Sequence, residues 1–173
     1  MLRLWRHAAG LLLALTLSAC GQSAPPPGVT DINGIMPALE LSMIRANDGA
    51  AVSARDYLGK VSVLYFGYTH CPDVCPTTLS NLSLALGSMG EDADKVRVLF
   101  ISVDPDRDTL PVLKSYVNAF APQIDGLRGS ANDIARLARR YRVAYSVTSA
   151  SATQAYEVTH SNSVFFFDAR GPA

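Results

Sequence analysis

The chain has 173 residues, 49% of them hydrophobic, with 15 basic and 15 acidic side chains. This length suits one domain with a sizeable core, and the even charge balance excludes the basic surface of a nucleic-acid-binding protein. Only three cysteines are present, and each falls in a stretch with a distinct predicted role.

The first 19 residues have the pattern of a secretory signal: a basic start, an apolar run too short to span a bilayer, and small residues before Cys20. The ending Leu-Ser-Ala-Cys resembles the bacterial lipobox. It predicts a lipidated Cys20 that anchors the chain to a membrane of the bacterial cell envelope, with the domain facing the periplasm. An ordinary signal with a cysteine near its cleavage point is the alternative, and both readings place the domain in an oxidising compartment.

Cleavage would leave 154 residues with 13 basic and 15 acidic side chains, a net charge of −2. Residues 20–37 contain three consecutive prolines and several glycines, which predict a semi-extended tether. Residues 38–173 are then the folded domain. It is predicted to begin with a strand over 39–44 and a turn over 47–49.

The next segments predict a parallel βαβ unit. The apolar, β-branched runs 60–67 and 96–103 are typical of buried strands, and the spacing of apolar residues over 77–86 predicts a helix between them. Two further helices are predicted, one capped by Asp108 and one over 131–141. The last predicted elements are a strand over 164–167 and a turn over 168–171. A strand this apolar predicts a returning strand beside it, and none follows in this sequence. We therefore expect a truncated chain, and extending the reading frame would test this.

The stretch from Tyr65 to Leu79 (YFGYTHCPDVCPTTL) carries the chemistry. Cys71 and Cys75 lie four positions apart where a buried strand leads into a helix start, the layout of a thioredoxin-like redox or metal site. At this spacing the thiols can bind one metal ion or form a disulfide. Pro76 suits the first helical position, and the helix N-terminus should lower the pKa of at least one thiol.

Three segments resemble the signatures of the Sco/SenC family: Phe66–Pro76 (FGYTHCPDVCP), Ser102–Leu110 (SVDPDRDTL) and Tyr156–Ser161 (YEVTHS). The resemblance runs from about residue 37 to 171. It implies an α/β, thioredoxin-like three-layer α/β/α sandwich, of which this sequence lacks the C-terminal strand and helix expected of the family. It also implies a membrane-tethered copper protein that assists assembly of the binuclear copper centre of cytochrome c oxidase.

By position, the resemblance implies Cys71, Cys75 and His160 as copper ligands for Cu(I) and Cu(II). It also implies supporting or partner-contacting roles for Asp73 and Asp104. The chain departs from the pattern at Thr159, where many relatives carry an acidic residue, a change that bears on how His160 is oriented. His70, next to Cys71, is a competing ligand that the family does not require.

The leading functional prediction is a copper-binding assembly factor, not an enzyme in the usual sense, that hands copper to the copper-bearing oxidase subunit. Its other partners would be periplasmic copper carriers or thioredoxin-like reductants. The alternative is a thiol–disulfide oxidoreductase that uses Cys71 and Cys75 to reduce that subunit's cysteines before metallation. The sequence gives weaker support to a peroxiredoxin-like peroxidase, since Tyr68 stands three residues before Cys71, where that family has a threonine. A structural zinc site lacks a fourth ligand.

Overall fold

The computed structural model describes residues 25–170, in which eight strands, three α-helices and two 3-10 turns follow one another. The strands are β1 Ser42–Arg45, β2 Ala51–Ser53, β3 Val61–Gly67, β4 Val96–Ser102, β5 Ile124–Arg128, β6 Tyr145–Thr148, β7 Glu157–His160 and β8 Val164–Phe167. The helices are α1 Val74–Ser88, α2 Leu110–Asn118 and α3 Ala131–Arg140. None of these described helices is both long and apolar enough to cross a bilayer.

Six strands form the central sheet, in the order β2-β1-β5-β4-β3-β8. Strands β3, β4 and β5 are parallel, whereas β1, β2 and β8 run antiparallel to their neighbours. Nearly every residue of β3 and β4 is buried, so both faces of the sheet are covered, as continuous apolar runs in parallel sheets require. The predicted βαβ unit and the α/β fold class are confirmed.

The N-terminal part of the chain differs from prediction in detail. Residues 25–35 form a separate unit in which the described backbone makes turns and no strand. In the domain, the first strand begins at Ser42 rather than at residue 39, and the predicted turn ends at Gly49 with a φ of 78°. The predicted signal and the predicted lipidation site at Cys20 lie outside the described residues.

Helix α1 begins at Val74, three residues before the predicted start, with Asp73 at the N-cap. Pro76 therefore lies within the first turn, where a missing N–H costs no helical hydrogen bond. The earlier start places Cys75 inside the helix, in its first turn.

The predicted N-cap of α2 is wrong. Thr109 occupies the N-cap position of this helix, and the Asp108 side chain is fully buried instead. Its carboxylate accepts hydrogen bonds from the backbone N–H and hydroxyl of Thr69, at 3.0 and 2.6 Å, and from the Ser102 hydroxyl at 2.6 Å. Buried donors need an acceptor, and that need outweighs the local capping preference.

Strands β6 and β7 form a separate antiparallel hairpin that the sequence analysis did not predict. Each strand has four residues and only partial burial, so its apolar pattern is weak. This hairpin carries His160 at the end of β7.

Candidate metal centre

The turn from β3 into α1 brings the two cysteine sulfurs together. Cys71 lies in the connecting loop and Cys75 in the first helical turn. The backbone N–H of Cys75 donates to Cys71 Sγ across 3.4 Å, so the start of the helix contacts the first sulfur. Both side chains are buried, with Cys71 8% exposed and Cys75 fully enclosed.

The hairpin adds a third donor to this pair. Cys75 Sγ lies 3.2 Å from His160 Nε2, and the donor atoms of Cys71, Cys75 and His160 all lie within 4.8 Å of one another. In the described part of the chain these three residues form the only group of three or more His, Cys, Asp or Glu side chains placed to share a metal ion. The fold thus joins residues that are 85 positions apart in sequence.

The orientation of the His160 ring is set locally. Its Nδ1 lies 3.0 Å from the Ser161 carbonyl oxygen, which can only accept, so Nδ1 is the donor there and Nε2 is the ring nitrogen that faces the thiols. The rings of Tyr65 and Tyr68 meet the imidazole edge-on, at centroid distances of 6.2 and 5.8 Å. Thr159 faces away and contacts the Ser146 hydroxyl, so it does not orient the ring.

Gly67, the last residue of β3, makes room for the buried sulfur. A Cβ at this position would lie 2.7 Å from Cys75 Sγ and 2.6 Å from Cε2 of the Phe100 ring. Both distances are far below van der Waals contact, so only glycine fits without a shift. Gly67 was not among the residues predicted from the sequence, although a glycine that ends a buried strand just before paired cysteines is a signal of close packing against the backbone.

Burial raises the pKa of the Cys75 thiol to about 12. The expected lowering of the thiol pKa by the helix N-terminus does not hold for Cys75, because desolvation of the thiolate outweighs the helix dipole. The thiol of Cys75 is therefore protonated near neutral pH, and binding a metal ion as a thiolate would release that proton. Both cysteines are free thiols in this structure, and a Cys71–Cys75 disulfide stays a prediction for the oxidised protein.

The remaining candidates lie outside the three-donor group. The His70 side chain is 51% exposed, and its Nδ1 lies 3.0 Å from the Thr69 hydroxyl. Asp73 is exposed at the N-cap of α1, where it meets Thr77. Asp104 is fully buried, and its carboxylate accepts from Arg107 and from the Tyr156 hydroxyl. None of the three is placed to share a metal ion with the cysteines.

The donor set suits a soft metal ion. Thiolates favour copper(I), and imidazole binds copper in both common oxidation states. Three ligands at about 2.3 Å from one ion in a trigonal site lie roughly 4.0 Å apart. The three donors here lie within 4.8 Å of one another, so they would have to close by somewhat less than about 1 Å at most to bind one ion. With three donors, the site also differs from a four-ligand structural zinc site.

Comparison with known proteins places this geometry in context. A family model described as SCO1/SenC matches residues 43–173. The mitochondrial SCO1 homolog 1 of Arabidopsis thaliana is 40% identical over 141 residues, which cover 81% of this chain and 40% of that protein. The chain therefore spans less than half the length of that curated relative.

Solved structures agree with the fold. ScoI of Bradyrhizobium japonicum with copper bound is 39% identical, with a TM-score of 0.71 over 79% of this chain and 85% of that one. BsSco is described as a member of the Sco family of cytochrome c oxidase assembly proteins with a disulfide switch. It is 26% identical, with a TM-score of 0.50 over 61% of this chain and 63% of that one. The thioredoxin-like fold class expected from the sequence is confirmed.

Proposed function

Since the chain belongs to the SCO1/SenC family, we propose that it binds one copper ion through Cys71, Cys75 and His160 and delivers it to the binuclear copper centre of cytochrome c oxidase. The observation that carries this proposal is the convergence of two thiols and one imidazole within 4.8 Å. Relatives with bound copper and a relative described by its role in oxidase assembly support it.

The three donors differ in burial, which suggests an order of release. Cys75 is fully enclosed, Cys71 is slightly exposed, and His160 is half-buried at the end of a hairpin. A partner's ligands reach the more exposed donors first. Copper transfer by ligand exchange would therefore begin with loss of His160, while Cys75 releases the ion last.

Thiol–disulfide exchange with the cysteines of the oxidase subunit is the second candidate function. The pair of free thiols and the disulfide switch described for BsSco favour it. An attacking thiol must be ionised and accessible, and Cys75 is neither, because it is enclosed and its pKa is raised. Cys71 would therefore be the attacking sulfur, with no need for His160.

We further propose that lipidated Cys20 holds the domain at a membrane of the bacterial cell envelope, facing the periplasm, where copper carriers or thioredoxin-like reductants would supply it. The lipobox-like ending before Cys20 supports this placement. Mass spectrometry of the N-terminus of the mature protein tests it: a chain that begins at Cys20 with a diacylglyceryl group is expected, and an unmodified cysteine would exclude the anchor.

The test of copper binding is an anaerobic titration of the reduced full-length protein with copper(I), beside His160→Ala and the matched control His70→Ala. We expect one equivalent to bind to the wild type and to His70→Ala. Loss of a ligand should weaken binding to His160→Ala by about a hundredfold or more, beyond the usual effect of an outer-shell change.

Thiol–disulfide exchange, measured on the same three proteins, separates the two functions. Equal copper affinity in the wild type and His160→Ala would contradict the three-ligand site. Absence of copper binding in all three proteins, with exchange activity intact, would favour the reductase.

A further inference from the structure

The β6–β7 hairpin is held to the rest of the domain by few polar contacts. Within the described part of the chain, only two hydrogen bonds join residues 144–161 to other segments. One joins Cys75 Sγ to His160 Nε2, and the other runs from the Tyr156 hydroxyl to Asp104 Oδ1 across 2.6 Å. Apart from the proposed ligand His160, Tyr156 is thus the one residue of this hairpin that forms a hydrogen bond to another described segment.

Tyr156 and His160 lie on the same face of the chain. Side chains alternate along an extended strand, so Tyr156, Val158 and His160 point together towards the domain. The burial pattern agrees, since these three are at least half-buried whereas Glu157 and Thr159 are exposed. Tyr156 therefore fixes one end of a short row whose other end carries the imidazole, with buried Val158 between them.

The acceptor of the Tyr156 hydroxyl is itself rigidly held. The Asp104 side chain is fully buried, its backbone N–H donates to Ser102 Oγ at 3.1 Å, and its second carboxylate oxygen accepts from Arg107. The Arg107 guanidinium carbon also lies 4.1 Å from the centroid of the Tyr156 ring. The Tyr156 side chain is therefore held at two points: its hydroxyl donates to Asp104, and its ring face packs against the Arg107 guanidinium.

We propose that Tyr156 is a positioning residue for the metal centre: its hydrogen bond to Asp104 fixes β7 and sets the reach of His160 Nε2 to the thiols. This inference rests on the proposed copper site. The pairing with β6 fixes the register of β7 within the hairpin, and Val158 supplies only non-directional packing against the domain, so loss of the hydroxyl leaves the hairpin as a unit free to shift. The imidazole would then meet the cysteines in a wider range of positions.

The test is Tyr156→Phe in the reduced full-length protein, which keeps the ring and removes only the hydroxyl. Tyr57→Phe is the matched control, because the Tyr57 hydroxyl donates to buried Asp125 at 3.0 Å and that carboxylate also faces an arginine, Arg45, at 3.7 Å. The control breaks the same kind of hydrogen bond away from the hairpin. Both variants are compared with the wild type in copper(I) affinity and, without metal, in amide hydrogen exchange along β7.

We expect Tyr156→Phe to bind copper about tenfold more weakly and to exchange its β7 amides faster, while Tyr57→Phe matches the wild type in both. Unchanged affinity and exchange in Tyr156→Phe would overturn the proposal. Equal weakening by both variants would also overturn it, because general destabilisation would then explain the effect. If the wild type binds no copper, the proposed function fails, and hydrogen exchange alone decides whether Tyr156 holds the strand.

Discussion

At the scale of single residues, the position of Cys75 Sγ depends on Gly67, a neighbour without a side chain. Gly67 leaves space that Cys75 Sγ and the Phe100 ring fill, at the edge of the proposed metal centre. The Phe100 ring is fully buried in the sheet core and cannot retreat far. A methyl group at position 67 would therefore push on the sulfur that lies deepest in the site.

We expect Gly67→Ala to lower the free energy of unfolding by about 1–3 kcal/mol, as overpacking does, and to weaken copper(I) binding. Gly87→Ala is the control: a Cβ there meets open space within helix α1, and the substitution should stabilise the protein by roughly 0.5–1 kcal/mol. Denaturant unfolding and copper titration of both variants check this. Wild-type copper affinity in Gly67→Ala would show that Cys75 does not depend on this space.

At the scale of elements, the loop that carries Cys71 depends on a carboxylate from another segment. Asp108, before α2, accepts from both Thr69 donors and from Ser102 at the end of β4. Three hydrogen bonds to one buried carboxylate tie the loop after β3 to the neighbouring strand. This explains why Asp108 does not cap its own helix.

We expect Asp108→Asn to lower the free energy of unfolding by about 2 kcal/mol, because an amide cannot accept all three hydrogen bonds and leaves a buried donor unpaired. The exposed neighbour Asp106 offers the control, and Asp106→Asn should stay within about 0.5 kcal/mol of the wild type. Chemical denaturation measures both. An Asp108→Asn protein as stable as Asp106→Asn would show that the network contributes little.

At the scale of the whole molecule, the proposed copper ion would link two parts of the fold. Cys71 lies in the β3–α1 loop, Cys75 in the first turn of α1 and His160 in the hairpin, so a bound ion would stabilise the folded state in which they meet. A ligand that binds only the folded state adds stability that grows with its free concentration.

We expect free copper(I) buffered at 100 times its dissociation constant to add about 2.7 kcal/mol of stability. For a domain of this size that corresponds to a rise in melting temperature of about 5–10 °C. Calorimetry of the reduced protein with and without copper measures the shift, and His160→Ala at the same copper concentration should show a smaller one. An unchanged melting temperature in the wild type would argue against a site closed by all three donors.

The sequence by itself determined the local features of this protein. Continuous apolar runs predicted β3 and β4 because strands buried on both faces show no alternation, and the spacing of Cys71 and Cys75 before a helix start indicated the paired thiols. His160 was predicted from the resemblance of three short segments to the Sco/SenC family. Without that resemblance, a lone histidine in a weakly patterned stretch does not indicate a metal ligand.

Only the tertiary structure decided how distant parts meet. The hairpin that carries His160, the space left by Gly67, the inward turn of Asp108 and the bond between Tyr156 and Asp104 all depend on residues far apart in the chain. The pKa of Cys75 likewise follows from burial rather than from its place at a helix N-terminus. The physical reason is that packing and desolvation depend on the residues that surround a group in space, and local sequence patterns do not predict which residues those are.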